Sequence, residues 1–181
     1  WRAGGVAVPL AVSHPRVELE YTVDDAGVTL MVADEKFQDT LAPIAKARGI
    51  PLISTGDITD SSGALLPSIA VDRMATILYT SGSTGKPKGV VATHSNIQAQ
   101  IETLVDAWGW TANDHILNVL PLHHVHGIIN AMACALWVGA TCEILPRWSA
   151  ATVWDRLGCG DLTLFMGVPT MYGSLISEYE K

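Results

Sequence analysis

The sequence predicts an α/β fold, a largely parallel sheet flanked by helices. Three observations carry that reading. Short runs such as VAVPL at 6–10, VTLMV at 28–32 and IPLIS at 50–54 are apolar throughout rather than alternating, the pattern of strands buried on both faces. Between them lie segments of helical length that end at Gly27 and Gly49, and glycine is the residue that most readily closes a helix in the left-handed conformation. Strand-like and helix-like segments then keep alternating, as parallel neighbours require, because each pair needs a crossover.

The elements follow in order. ELEYTVDDAG, from Glu18, and KFQDTLAPIAKARG, from Lys36, are the first two helices. Phe37, Leu41, Ile44 and Ala45 share one face of the second, and Pro43, lacking an N–H, is expected to kink it or delay its start. The composition of residues 55–70 makes them a loop. ATILY at 75–79 and GVVAT at 89–93 read as strands. Ser95 and Gln98 have capping-box spacing, and Ile97, Ile101, Leu104, Val105 and Trp108 make an apolar stripe at helical spacing. HILNVLP, TCEIL and LTLFM supply further strands, with helices around 127–138, 150–157 and 170–179. Ligands of such sheets bind at the carboxyl ends of the strands.

Bulk properties exclude several classes. With 181 residues, 49% hydrophobic and 16% charged, the chain is globular rather than disordered. Mean hydropathy is +0.28, yet no apolar run approaches the ~20 residues of a membrane span. A net charge of −7 argues against a broad nucleic-acid-binding face, so any anion must be held locally. Cys134, Cys142 and Cys159 are odd in number and form no CxxC, which indicates neither a disulfide framework nor a zinc knuckle. A reducing intracellular compartment follows, cytoplasmic or mitochondrial matrix. The opening WRAGGVAVPL carries no initiator Met and no targeting pattern and reads as an excised piece.

The segment YTSGSTGKPKGVVATHSN, 79–96, is the chemical signal. A Ser/Thr/Gly tract is commonly a solvated linker, but this one joins two buried strands. Glycines let successive N–H groups converge, hydroxyls add donors and lysines add charge, which together make an anion nest. It is not a Walker A loop: Pro87 stands where Ser or Thr must follow Gly85-Lys86, and Thr80 stands where the first glycine belongs. Pro87 also blocks a helix there, so the loop is a clasp between strands without a helix dipole behind it.

TSGSTGKPKG resembles the phosphate-loop signature of the adenylate-forming enzymes, the superfamily of acyl-CoA synthetases, luciferases and peptide-synthetase adenylation domains. WRAGGVAVPL resembles the preceding block and LPLHHVHG, 120–127, the following one. LPLHHVHG, LWVGAT and FMGVPTMY together most resemble the malonyl-CoA synthetases. The resemblance implies part of the large N-terminal AMP-binding domain over 1–181, activating a carboxylate, with malonate or methylmalonate expected, as acyl-AMP and transferring it to CoA. Thr80, Ser81, Gly82, Ser83, Thr84 and Gly85 would then wrap the β- and γ-phosphates of ATP, with Lys88 as the catalytic cation and Lys86 at a variable position beside them. His124 would lie beside the adenylate, and His126 and Asn130 would face the acyl pocket. His123 replaces the usual phenylalanine and is expected to pack.

The resemblance further implies Mg2+, with its ligands in the lid and adenine-binding blocks that 1–181 does not contain, so that 1–181 by itself is expected to be inactive. No metal site is expected among His123, His124 and His126. Open alternatives are a medium- or long-chain or aromatic acyl-CoA ligase, a peptide-synthetase adenylation domain and a non-catalytic nucleotide-binding protein of the same fold.

Overall fold

The computed structural model describes residues 1–11, 13–58, 65–81 and 85–181. They divide into two compact units, Trp1–His94 and Ser95–Lys181.

In the first unit, α1 (Arg16–Asp25) leads to β1 (Met31–Ala33), and α2 (Gln38–Arg48) leads to β2 (Leu52–Ser54). The two strands are parallel, with Met31 opposite Leu52. Leu19 and Val23 of α1 and Leu41, Ile44 and Ala45 of α2 bury Met31 and Ala33, so both helices cover the same face of β1. Gly49, at φ +65°, closes α2 in the left-handed conformation. Arg48 fixes the two helices together through Asp24 (Nη2–Oδ2 2.7 Å), which holds that carboxyl below its usual range. α2 runs from Gln38 to Arg48 with Pro43 inside it and is preceded by a 3-10 turn, Glu35–Phe37, so the expected delay does not occur. The missing N–H forfeits a single bond, to a carbonyl one residue into the helix.

The expected strand at 6–10 is reduced to one parallel bridge, Ala7 to Thr76. β1 is also shorter and later than the apolar run that announced it. β3 (Met74–Thr80) and β4 (Lys88–Thr93) form an antiparallel hairpin, an exception to the parallel expectation. Its physical reason is length, since residues 81–87 are too few for the dozen or more a parallel crossover needs. Within the predicted loop, Thr55–Asp57 make a 3-10 turn and 65–70 are irregular; 59–64 lie outside the described residues.

In the second unit, α3 (His94–Trp108) buries Ile97 and Ile101, half-buries Leu104 and Val105, and leaves Trp108 47% exposed. The helix begins before Ser95, placing that residue in the first turn, and Gln98 Nε2 donates to Glu102 at 2.8 Å. β5 (His115–Asn118) is the central strand of a parallel three-stranded sheet, between β6 (Thr141–Ile144) and β7 (Leu164–Met166). A π-helical stretch, His126–Ala133, runs directly into α4 (Cys134–Val138) and connects β5 to β6. α5 (Ala150–Gly158), capped by Ser149, connects β6 to β7, and α6 (Pro169–Tyr179) follows with proline in its first turn.

No helix among the described residues is long and apolar enough to cross a membrane.

Candidate active site

The hairpin presents the mouth of the glycine-rich loop. Thr80 and Lys88 are direct cross-strand partners, so their side chains leave the same face of the β3–β4 ribbon, and both are exposed. Ser81, Gly85 and Lys86 are exposed beside them, and Gly85 takes φ +93°, a conformation that favours glycine. Gly82, Ser83 and Thr84 lie outside the described residues.

Behind the mouth, the opposite face of the hairpin is tied to α1. Tyr79 donates its hydroxyl to Asp25 at 2.6 Å, and Tyr21 meets Tyr79 edge-on at 6.4 Å. Burial, then the Asp25 carboxylate, push ionisation of Tyr79 far above its usual range, so it remains a donor at every physiological pH. Gly89 makes room for this ring: a Cβ there would stand 2.8 Å from Ile77 and 3.2 Å from Tyr79. Lys86 Nζ sits 5.5 Å from the centre of the Tyr21 ring, within cation–π range.

The second unit carries the histidine-rich segment. β5 is followed by a connection to β6 on one side, and β6 by a connection to β7 on the other, so right-handed crossovers place the two helices on opposite faces. Accordingly α5 and α6 bury Leu117 with Val153 and Leu175 on one face, while the 126–138 helix is on the other. A crevice opens where such connections diverge, at the carboxyl ends of β5 and β7. Leu120–Gly127 leaves β5 at that point.

Asn118, the last residue of β5 and 1% exposed, fixes the path of this segment. Its Oδ1 accepts from the Leu120 N–H at 3.0 Å and its Nδ2 donates to the Gly127 carbonyl at 3.2 Å. Gly127 is pressed against the turn, where a Cβ would stand 2.4 Å from the Pro121 carbonyl oxygen. The segment is thereby folded back on itself. It leaves the His124 side chain exposed, its ring 4.2 Å from that of His123, and His126 half-buried. Asn130, four residues on in the helix, shares a face with His126. Its Oδ1 accepts from Gln100 Nε2 of α3 at 2.6 Å, which assigns its NH2 group as the donor.

The structure thus brings Thr80, Ser81, Gly85, Lys86 and Lys88 together at one loop mouth, and places His124 and His126 on the segment that follows β5, with Asn130 one turn on in the helix. Sequence reasoning missed Asn118, Gln100, Tyr79 and Asp25. Asn118 had a signal, a lone amide in an otherwise apolar strand; Gln100 had none. Among the described residues no group of three or more His, Cys, Asp and Glu is placed to hold a metal ion, so no donor set for Mg2+ is identified here.

Comparison with known proteins adds identity to this geometry. The AMP-binding enzyme family matches residues 1–181. The mitochondrial malonate–CoA ligases of Xenopus laevis and Homo sapiens are 46% and 42% identical, each over 100% of this chain and 33% of their own length. The chain therefore spans about a third of the length of the curated relatives it matches. Among solved structures, ATP-bound MatB from Rhodopseudomonas palustris superposes with a TM-score of 0.83 at 32% identity, over 95% of this chain and 36% of that one. A malonyl-CoA ligase with methylmalonyl-CoA and AMP bound gives 0.80 at 31%, over 94% and 36%. This chain belongs to the AMP-binding enzyme family.

Proposed function

We propose that the chain is part of an ATP-dependent acid–thiol ligase that activates a small dicarboxylic acid, malonate or methylmalonate, as its acyl adenylate and passes the acyl group to CoA. The observation that carries the reading is the pairing of Thr80 with Lys88 across the hairpin, a hydroxyl and a cation on one face at the mouth of a glycine-rich loop. The relatives' names and the bound ligands of the structural neighbours support the substrate class and favour it over a long-chain or aromatic acid.

In the first step a substrate carboxylate oxygen attacks the α-phosphorus of ATP and pyrophosphate leaves; in the second the CoA thiol attacks the acyl carbonyl and AMP leaves. The barrier of the first step includes bringing an anion to an anion. Two like charges ~4 Å apart repel by about 4 kcal/mol at an effective dielectric of 20. Thr80, Ser81, Gly82, Ser83, Thr84 and Gly85 donate to the β- and γ-phosphates, and Lys88 adds charge. Each such bond to a charged oxygen is worth about 1.5–3 kcal/mol, so several offset the repulsion. Lys86, resting on the Tyr21 ring, flanks them. His124 lies beside the adenylate at the strand end.

A dicarboxylate carries a second charge that an apolar pocket rejects. His126 and the NH2 of Asn130 provide donors for it, and Gln100 holds the Asn130 amide by its oxygen. The compartment named for the vertebrate relatives, the mitochondrion, supports the intracellular assignment.

The test is ATP–pyrophosphate exchange by the full-length protein with malonate, methylmalonate, acetate and a medium-chain acid. Exchange should be fastest with the dicarboxylates and fall about 10- to 100-fold in Lys88→Ala, the loss of one charged hydrogen bond. Preference for the medium-chain acid would overturn the substrate class, and unchanged exchange in Lys88→Ala would overturn the loop's role.

A further inference from the structure

The last turn of α1 meets the β3–β4 hairpin at two points that flank the loop mouth. Asp25 ends the helix and Tyr21 stands one turn before it, so their side chains share a face. Asp25 Oδ2 accepts the Tyr79 hydroxyl at 2.6 Å, and its Oδ1 accepts the Tyr21 hydroxyl in a longer contact of 3.4 Å. Tyr79 immediately precedes Thr80 at the entry to the loop. Lys86, at the exit, has its Nζ 5.5 Å from the centre of the Tyr21 ring. Both stems of the loop therefore rest on neighbouring side chains of one helix.

The anchor is itself fixed. Leu19 and Val23 bury the inner side of α1, and Asp24 is held by Arg48 of α2 at 2.7 Å. Successive helical residues point about 100° apart, so Asp24 serves α2 while Asp25 is left to the hairpin.

The tie also leaves the working side of the ribbon clear. Strand alternation puts the Tyr79 side chain on the face opposite Thr80 and Lys88. Gly89 is the cross-strand partner of Tyr79, and the Cβ that it lacks would stand 3.3 Å from the Tyr79 hydroxyl oxygen. Space is thus kept where the hydroxyl passes to the carboxylate. The two contacts differ in kind: a hydroxyl bonded to a carboxylate is directional and charge-assisted, whereas a single exposed cation–π contact is weak. Asp25 accordingly fixes the strand end, and Tyr21 only supports Lys86.

We infer that Asp25, acting through the Tyr79 hydroxyl, is a positioning residue that places Thr80 and Ser81 for the phosphates of ATP, an inference that rests on the phosphate role proposed for this loop. Asp25 acts from behind the ribbon and supplies no ligand of its own. Its loss is felt as a displaced loop.

The test uses the full-length protein with malonate, reading the KM for ATP, the KM for malonate and kcat in ATP–pyrophosphate exchange. Binding of α,β-methylene-ATP, which cannot be cleaved at the α-phosphorus, is followed by titration calorimetry. Tyr79→Phe keeps the ring and removes only the hydroxyl. It should raise the KM for ATP and weaken analogue binding by about 3- to 10-fold, the loss of one hydrogen bond, while the KM for malonate and kcat stay within about 2-fold. Asp25→Leu should do the same, and joining it to Tyr79→Phe should add nothing, because the two remove one interaction. Asp25→Asn keeps an acceptor and should recover most of the loss.

Lys88→Ala is the reference. If it weakens ATP binding while Tyr79→Phe and Asp25→Leu do not, the positioning role is overturned and the loop's function stands. Unchanged ATP binding in Lys88→Ala would overturn both. Equal losses in kcat and in both KM values, with a lowered melting temperature, would reduce the bond to a structural tie and overturn the inference as well.

Discussion

At the scale of single residues, the site depends on positions whose chemistry is steric as often as catalytic. Gly127 is the sharpest case. Replacing its hydrogen by a methyl would drive a carbon to within 2.4 Å of a backbone oxygen, and neither partner is a flexible side-chain end. Gly127→Ala in the full-length protein should lower stability by about 1–3 kcal/mol or more, the range for overpacking a closed site, read as the shift of the urea midpoint. It should also reduce adenylation in the fraction still folded, because the turn carrying His124 and His126 moves. Asn118 is legible in the sequence only in hindsight. An amide among Ile, Leu and Val marks a strand with something to anchor, but not which carbonyl it anchors. Gln100 could not be read at all, since its partner Asn130 lies 30 residues away on another element.

At the scale of elements, a charged cluster ties α5 to β5, to β6 and to the turn before β7. Arg156 of α5 forms paired bonds to Asp161, one of them Nη2–Oδ2 at 2.7 Å, and its Nε reaches Glu143 of β6 at 2.8 Å. His115 of β5 lies 3.3 Å from Glu143 and 3.5 Å from Asp161. The Arg156 hydrogen bonds hold Asp161 down at about 2, against about 3.9 in an unfolded chain. A carboxyl lowered on folding stabilises the fold above its unfolded value, and the stabilisation is lost as pH falls through its folded one. Acid titration of the full-length protein should therefore show a loss of stability between about pH 4 and pH 2 that is smaller in Asp161→Asn. An identical acid limb in the two would show the pair contributes nothing there. Most element types were legible because their signals are local: glycine after α2 and the apolar stripe of α3. The hairpin direction and the single bridge at 6–10 were not, because apolar runs state burial without stating which neighbour a strand finds.

At the scale of the whole molecule, an acidic chain carries a small cationic mouth. Under the proposed function, the net charge of −7 carried by these 181 residues would repel ATP at a distance, and capture would rest on Lys88 and its neighbours within about a Debye length, ~10 Å at 0.1 M salt. Raising the salt concentration should thus raise the KM for ATP more steeply in the wild-type protein than in Lys88→Ala, where the local attraction is already gone. Parallel salt dependences would place the capture elsewhere in the protein.

The π-helical stretch over His126–Ala133 sets a rule about chain length. A π turn holds one residue more than the α turn it replaces, the signature of a single-residue insertion accommodated inside a helix. Excising one residue between Ile128 and Ala133 would let the segment relax to ordinary pitch. The lost residue and the tighter winding would cancel, leaving what precedes the cut close to its present direction relative to the packed end at Cys134, whereas winding every residue of the stretch at α pitch without the excision would turn His126 by about 100°. In this stretch the reading frame of the helix, more than the identity of any one side chain, decides which way the histidines look.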